Sequence, residues 1–75
     1  MAPPRERGFE HKRVRVTAVD LEHSLALVKD RLGKEEQVTL TVNRTGMTPT
    51  EGETWLIDRM YGPWTFGARV GPAQP

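Results

Sequence analysis

Thr48-Pro49-Thr50-Glu51-Gly52-Glu53-Thr54-Trp55-Leu56-Ile57-Asp58-Arg59-Met60-Tyr61-Gly62-Pro63-Trp64-Thr65-Phe66-Gly67-Ala68-Arg69-Val70 decides the fold. It reads as a Pro- and Gly-containing turn, a strand from Thr54 to Met60, a tight Gly62-Pro63 turn, and a second strand from Trp64 to Val70. Two apolar strands joined this closely pair antiparallel, and Gly and Pro supply the backbone angles that the connection needs. Trp64 and Phe66 share one face by the period of two. They are expected to point inward, which sends Thr65, Gly67 and Arg69 outward and leaves Tyr61, at the turn, as the exposed aromatic.

Three earlier strands lead to this hairpin. Lys12 to Leu21 alternates, with Val14, Val16 and Ala18 toward the core, and the change of parity at Ala18-Val19 reads as a bulge that bends the strand. Ser24 to Lys29 is the second strand. Gly33, in the next connection, can take a positive φ. Gln37 to Val42 is the third strand, with Val38, Leu40 and Val42 on the core face. No helical period persists, and Gly46, Pro49 and Gly52 make Asn43 to Glu53 a loop. Five strands in a meander-like order, in so short a chain, can hide their edges by curling closed. The expected fold is all-β: a small closed or partly open barrel of about five antiparallel strands, OB-like or alternatively SH3-like, with no substantial helix. Residues 12–70 form the barrel, 1–11 an N-terminal arm and 71–75 a C-terminal tail, and Val14, Val16, Val38, Leu40, Ile57 and Phe66 line the interior.

The chain has 75 residues, no cysteine and a net charge of +1. A single domain of this size buries roughly 60% of the surface that its unfolded chain exposes, so stability is marginal. Disulfides and thiolate zinc sites are excluded, and oligomerisation is the supplement left open. The longest apolar run, Leu25 to Val28, is far below the roughly 20 residues of a membrane helix, so membrane insertion is not expected. Arg5, Arg7, Lys12, Arg13 and Arg15 outweigh Glu6 and Glu10 and make the N-terminal region basic. A basic arm on a near-neutral body can seek phosphates or an acidic patch on a protein neighbour.

Candidate chemistry is sparse. Ser24 follows Glu22 and His23, but neighbours along an extended chain point to opposite faces and cannot assemble a triad. His11 and His23 each lie near a glutamate at a strand margin, where exposed polar residues are ordinary, so no metal site is assigned to them. The glycines form no phosphate-cradling run. No catalytic, cofactor-binding or metal-ligating residue is assigned, and a non-enzymatic protein is expected. Contact residues are then Arg5, Arg7, Phe9, Arg13, Arg15, Tyr61 and Arg69 for a protein interface. The rival set is Arg13, Arg15, Arg59, Tyr61 and Trp64, for a single-stranded nucleic acid whose bases stack on the rings while the arginines meet the backbone.

The order Val16-Thr17-Ala18-Val19-Asp20, a polar strand, then Pro49-Thr50-Glu51-Gly52-Glu53-Thr54-Trp55 and Trp64-Thr65-Phe66-Gly67-Ala68-Arg69 resembles small OB-fold proteins of tailed-bacteriophage tail tips and baseplates. The likeness covers about three quarters of the chain. In those proteins a Pro precedes Gly-Asp at the fourth strand and a Trp precedes Gly-Arg at the last. Here Glu53 stands in place of Asp, and Ala68 intervenes between Gly67 and Arg69. The resemblance implies a virion structural subunit, assembled in the host cytoplasm with other virion proteins into a homo-oligomer or ring, its terminal arms acting as clamps. A capsid decoration or cement protein is the close variant, and an OB-type single-strand binder the rival from another class.

Overall fold

The computed structural model describes residues 9–41 and 46–72, and among these the chain is all β. Its strands are β1 (Phe9–Asp20), β2 (Leu25–Lys29), β3 (Glu35–Thr39), β4 (Thr54–Met60) and β5 (Trp64–Gly71). They form one sheet that closes on itself in the order β1-β2-β3-β5-β4, an OB-like barrel. The arm residues 1–8, Val42 of the expected third strand and residues 73–75 of the expected tail lie outside the described residues. β1 begins at Phe9, so Phe9 to His11, read from sequence as arm, are strand.

β1 makes the closure possible because it serves two partners. Its first half pairs with β4 from Phe9↔Met60 to Arg15↔Thr54, and its second half with β2 from Arg15↔Lys29 to Asp20↔Leu25. The strand bends where Thr17 is the extra residue between Val16↔Val28 and Ala18↔Leu27. The bulge thus lies one residue before its expected place. It hands the inward parity from Val16 to Val19, which packs on the core in the role expected of Ala18.

A ring of five strands cannot alternate direction all the way round, because an odd number leaves one pair of neighbours running the same way. That pair is β3 and β5, parallel through Val38↔Trp64 and Thr39↔Thr65. The order is therefore not a meander: β4 leaves β3 and lands beside β1. Main-chain bonds fix this landing, since the Val16 N–H donates to the Glu53 carbonyl at 2.9 Å and the Gly52 N–H donates to the Val16 carbonyl at 2.8 Å. Gly52 sits at φ 90°, a left-handed angle that suits glycine, and Pro49 is fully buried beneath the loop.

A second bulge overturns one expectation. β4 and β5 register Leu56↔Ala68 and then Ile57↔Phe66, which leaves Gly67 unopposed. The parity of β5 reverses there, so Arg69 registers with buried Trp55 and faces the interior end of the barrel, not the outside. Only a residue-by-residue count through a strand without an insertion would have sent it outward.

The core comprises Val14, Val16, Ala26, Val28, Val38, Trp55, Ile57, Trp64 and Phe66. Leu40 is only partly buried. Trp55 and Phe66 meet edge to face, with ring centroids 5.1 Å apart, the offset geometry that aromatic quadrupoles favour. Truncating Phe66→Ala in so small an interior should cost about 3 to 5 kcal/mol, a large share of the roughly 4 to 11 kcal/mol that a chain of this length has in all. Urea titration followed by tryptophan fluorescence is expected to show a large fall in midpoint, or a variant already largely unfolded without urea.

Candidate functional site: two charged barrel ends and an apolar outer strip

The inward parity does not stop where the apolar residues stop. On β1 it runs from Val16 and Val14 to Lys12 and Glu10, on β4 from Trp55 and Ile57 to Arg59, and on β3 from Val38 to Glu36. These charges close one end of the barrel. Lys12 Nζ donates to Asp30 Oδ2 at 3.0 Å and to Glu36 Oε2 at 3.1 Å, and Lys34 Nζ lies 3.7 Å from the same Glu36 oxygen. Arg59 donates from Nε to Glu10 Oε1 at 2.8 Å, with Nη2 2.7 Å from the same oxygen. Beneath this layer lies Trp64, 5% exposed, with the Arg59 guanidinium 4.5 Å and Lys12 Nζ 5.2 Å from its ring. Cations over an indole face are held by the ring quadrupole. The Trp64 indole N–H is buried without a hydrogen-bond partner.

Burial alone would lower the Lys12 pKa, but the bonds to Asp30 and Glu36 outweigh it and hold the ammonium above its ordinary value. The Lys12 ammonium is the main cause that holds both carboxylates below theirs, aided at Asp30 by the Lys34 and Leu32 N–H groups. Asp30 also organises the β2–β3 turn, accepting from those two N–H groups at 2.9 Å each, and Gly33 completes the turn at φ 85°. The ends of this network are therefore fixed as ions near neutral pH. Groups held so far toward one protonation state are poor proton-transfer catalysts there.

The other end is organised by Glu53, 7% exposed. Its Oε1 accepts from the Trp55 indole N–H at 2.9 Å and from the Thr50 N–H at 2.8 Å, while Arg69 Nη1 lies 3.4 Å from Oε2. Burial pushes its pKa up, yet the bonds from Trp55, Thr50 and Arg69 prevail and the net shift is down. One carboxylate thus ties the β3–β4 loop, the core indole and β5 together.

The sequence-named contact residues do not gather at one place. Arg5 and Arg7 lie outside the described residues. Phe9 sits opposite Met60, with its ring centroid 5.7 Å from that of His11. Arg13 and Arg15 are exposed on the outside of β1, and Tyr61 is 77% exposed at φ 59° in the β4–β5 turn. Arg69 is paired with Glu53. Of the nucleic-acid set, Arg59 is bound to Glu10 and stacked on Trp64, and Trp64 is in the core. Its ring cannot stack a base without dismantling the barrel end.

Ser24, His23 and Glu22 occupy a turn and not the extended strand on which the argument against a triad relied; His23 Nδ1 bonds Asp20 Oδ2 at 2.7 Å. Asp20, Glu22 and His23 could bring donor atoms within 4.8 Å of one another, all exposed. His11 and His23 flank opposite ends of β1 and share no site. Leu56, Met60 and Val70 are partly exposed on β4 and β5; Ala68 lies opposite Leu56, and the polar pair Asp58 and Thr65 separates them from Met60.

Sequence reasoning missed Lys12, Glu36 and Arg59 as a barrel cap, and Glu53 as an internal anchor. The signal was present: each continues the inward parity of its strand beyond the apolar residues. No family model, characterised protein or solved structure matches this chain.

The lowered carboxylates set a direction for pH dependence. Their stabilisation is fully present above the ordinary values, 4.5 for Glu53 and Glu36 and 3.8 for Asp30, and is lost as pH falls through the lower folded-state values. Glu53→Gln should lower stability at neutral pH by about 1 to 3 kcal/mol, the cost of weakening a buried bonded group. It should also narrow the gap between the urea midpoints at neutral and acid pH, since one of the groups that generate the gap is gone.

Proposed function

We propose that this chain is a non-enzymatic structural subunit that works through protein contacts, and that its setting is the tail tip or baseplate of a tailed bacteriophage. The observation that carries the contact reading is the exposed apolar group of Leu56, its partner Ala68 and the neighbouring Val70 on β4 and β5, with Met60 and Tyr61 beyond the polar pair Asp58 and Thr65. Leu56, Val70 and Met60 keep 36%, 42% and 52% of their surface exposed, apolar area that a neighbour could still cover. Burying exposed apolar side chains against a neighbour contributes about 25 cal/mol per Å2, which would supplement a core of marginal size. The phage setting rests on the resemblance of the Pro49 to Trp55 and Trp64 to Arg69 segments, and the OB-like ring agrees with it. Both barrel ends are occupied by ion pairs that stiffen the block, a property useful in a building unit.

The single-strand binder is the weaker reading. Its strongest ring, Trp64, lies under Arg59 and Lys12, and a base-stacking platform needs an open aromatic face.

Particles induced from the host that carries this sequence are expected to contain the chain at fixed stoichiometry, with antibody label at the tail tip under electron microscopy. Replacing Leu56→Glu together with Val70→Glu should leave the purified barrel folded by circular dichroism and exclude it from particles. Purified particles that lack the wild-type chain would overturn the reading, and so would normal incorporation of the double variant.

A further inference from the structure

Eight Lys and Arg side chains lie among the described residues, and they divide cleanly. Lys12, Lys34, Arg59 and Arg69 have carboxylate partners. Arg13, Arg15, Lys29 and Arg31 have none among the described residues, and all four are exposed. These four line a cleft made of two adjoining concavities that share Arg13, Asp30 and Arg31, between the first half of β1 and the β2–β3 turn. The acid that lines it, Asp30, is already engaged by Lys12 and by its own turn. Glu35 stands opposite Lys29 in the β2–β3 register and Glu51 lies beside Arg15, but neither is bonded to a cation among the described residues, so positive charge still exceeds negative here and favours an anionic occupant.

The same cleft exposes an unfinished strand edge. Val16 donates to Glu53 and accepts from Gly52, so its main-chain groups aim at the β4 side. Main-chain direction alternates along a strand, and those of Arg13 and His11 therefore aim the other way. β1 leaves β2 after Arg15↔Lys29, and among the described residues no strand meets β1 on that side from Phe9 to Val14. Beside this edge Leu32 stands 94% exposed at the tip of the turn.

We propose that this cleft binds an extended acidic segment of a protein partner, which adds as a strand to the free edge of β1. The partner's main chain bonds to His11 and Arg13, its carboxylates meet Arg13, Arg15, Lys29 and Arg31, and an apolar side chain rests on Leu32. Strand addition of this kind draws affinity from the main chain and specificity from alternate side chains. A nucleic acid could satisfy the charges, but the cleft has no aromatic ring for a base and would leave the strand edge unused. Residues 1–8, which carry Arg5 and Arg7 against Glu6, and residues 71–75, which carry no acidic side chain, are poor occupants. The cleft is distinct from the outer apolar strip, and the inference holds whatever the particle setting.

The test uses the full chain and a labelled peptide that alternates Glu and Val. In the free protein the His11 and Arg13 amides are expected to exchange with solvent faster than those of Lys12 and Val14. Peptide at low salt should slow exchange at His11 and Arg13 about tenfold, and binding should weaken about tenfold or more at high salt. Arg31→Glu, in an exposed turn, and Arg13→Glu should each weaken binding by about tenfold, with Arg31→Ser as a milder companion if either variant fails to fold. A peptide that alternates Lys and Val should not bind. The proposal is overturned if the acidic peptide leaves these amides unchanged, if a short oligothymidylate binds the same residues more tightly, or if His11 and Arg13 are already protected in the free protein by another part of the chain or a second copy.

Discussion

Everything in this barrel depends on one strand serving two neighbours in turn. β1 contributes its first half to β4 and its second half to β2, and the extra residue at Thr17 lets the strand bend without losing a buried side chain. Without that bend the sheet would stay open, with two exposed edges and no enclosed interior. The bulge places Val14 and Val16 on one side of the bend and Val19 on the other, all toward the same core. The free edge of β1 follows from the same division of labour: where the strand belongs to β4, its other side has no assigned neighbour.

The interior is small, and the chain completes it with charge. Lys12, Glu36 and Arg59 continue the inward side of their strands past the last apolar residue, and at that point they reach one another instead of water alone. Long cationic side chains suit such positions because their apolar stems lie over the core while their heads remain near solvent. Trp64 takes part in both regimes, as a core ring below and as a cation platform above. At the opposite end Glu53 does the comparable work with a single carboxylate. Such half-buried pairs contribute less by net attraction than by fixing which groups meet, since desolvation offsets much of their Coulomb energy.

Much of this was legible in the chain. Alternation located the five strands, Trp64 and Phe66 as interior rings, and Gly33 as a left-handed turn residue. Two things were hidden for physical reasons. The first is register: an extra residue at Gly67 leaves the alternating pattern of β5 intact to the eye while reversing the side on which Arg69 falls. The second is partnership. A meander and an OB-like ring share the same strand sequence, and what separates them is whether β4 docks on β3 or on β1, decided by the bonds of Val16 to Gly52 and Glu53 across the barrel. Charged residues on an inward parity look like ordinary surface in a list of residues. Their pairing becomes visible once the neighbouring strands are known. Arg13 and Arg15 were recognised as contact residues, but their grouping with Lys29 and Arg31 required the fold.

The parallel seam between β3 and β5 has a kinetic consequence. With two residue pairs it is the shortest pairing in the ring. Joining the first strand to the fourth brings together the two ends of most of the chain, an event with a large loop-closure entropy. Held by the fewest pairs, the seam is the part of the ring expected to open first. A transient opening there would bare the edge of the Trp64 ring while the rest of the circle stays shut.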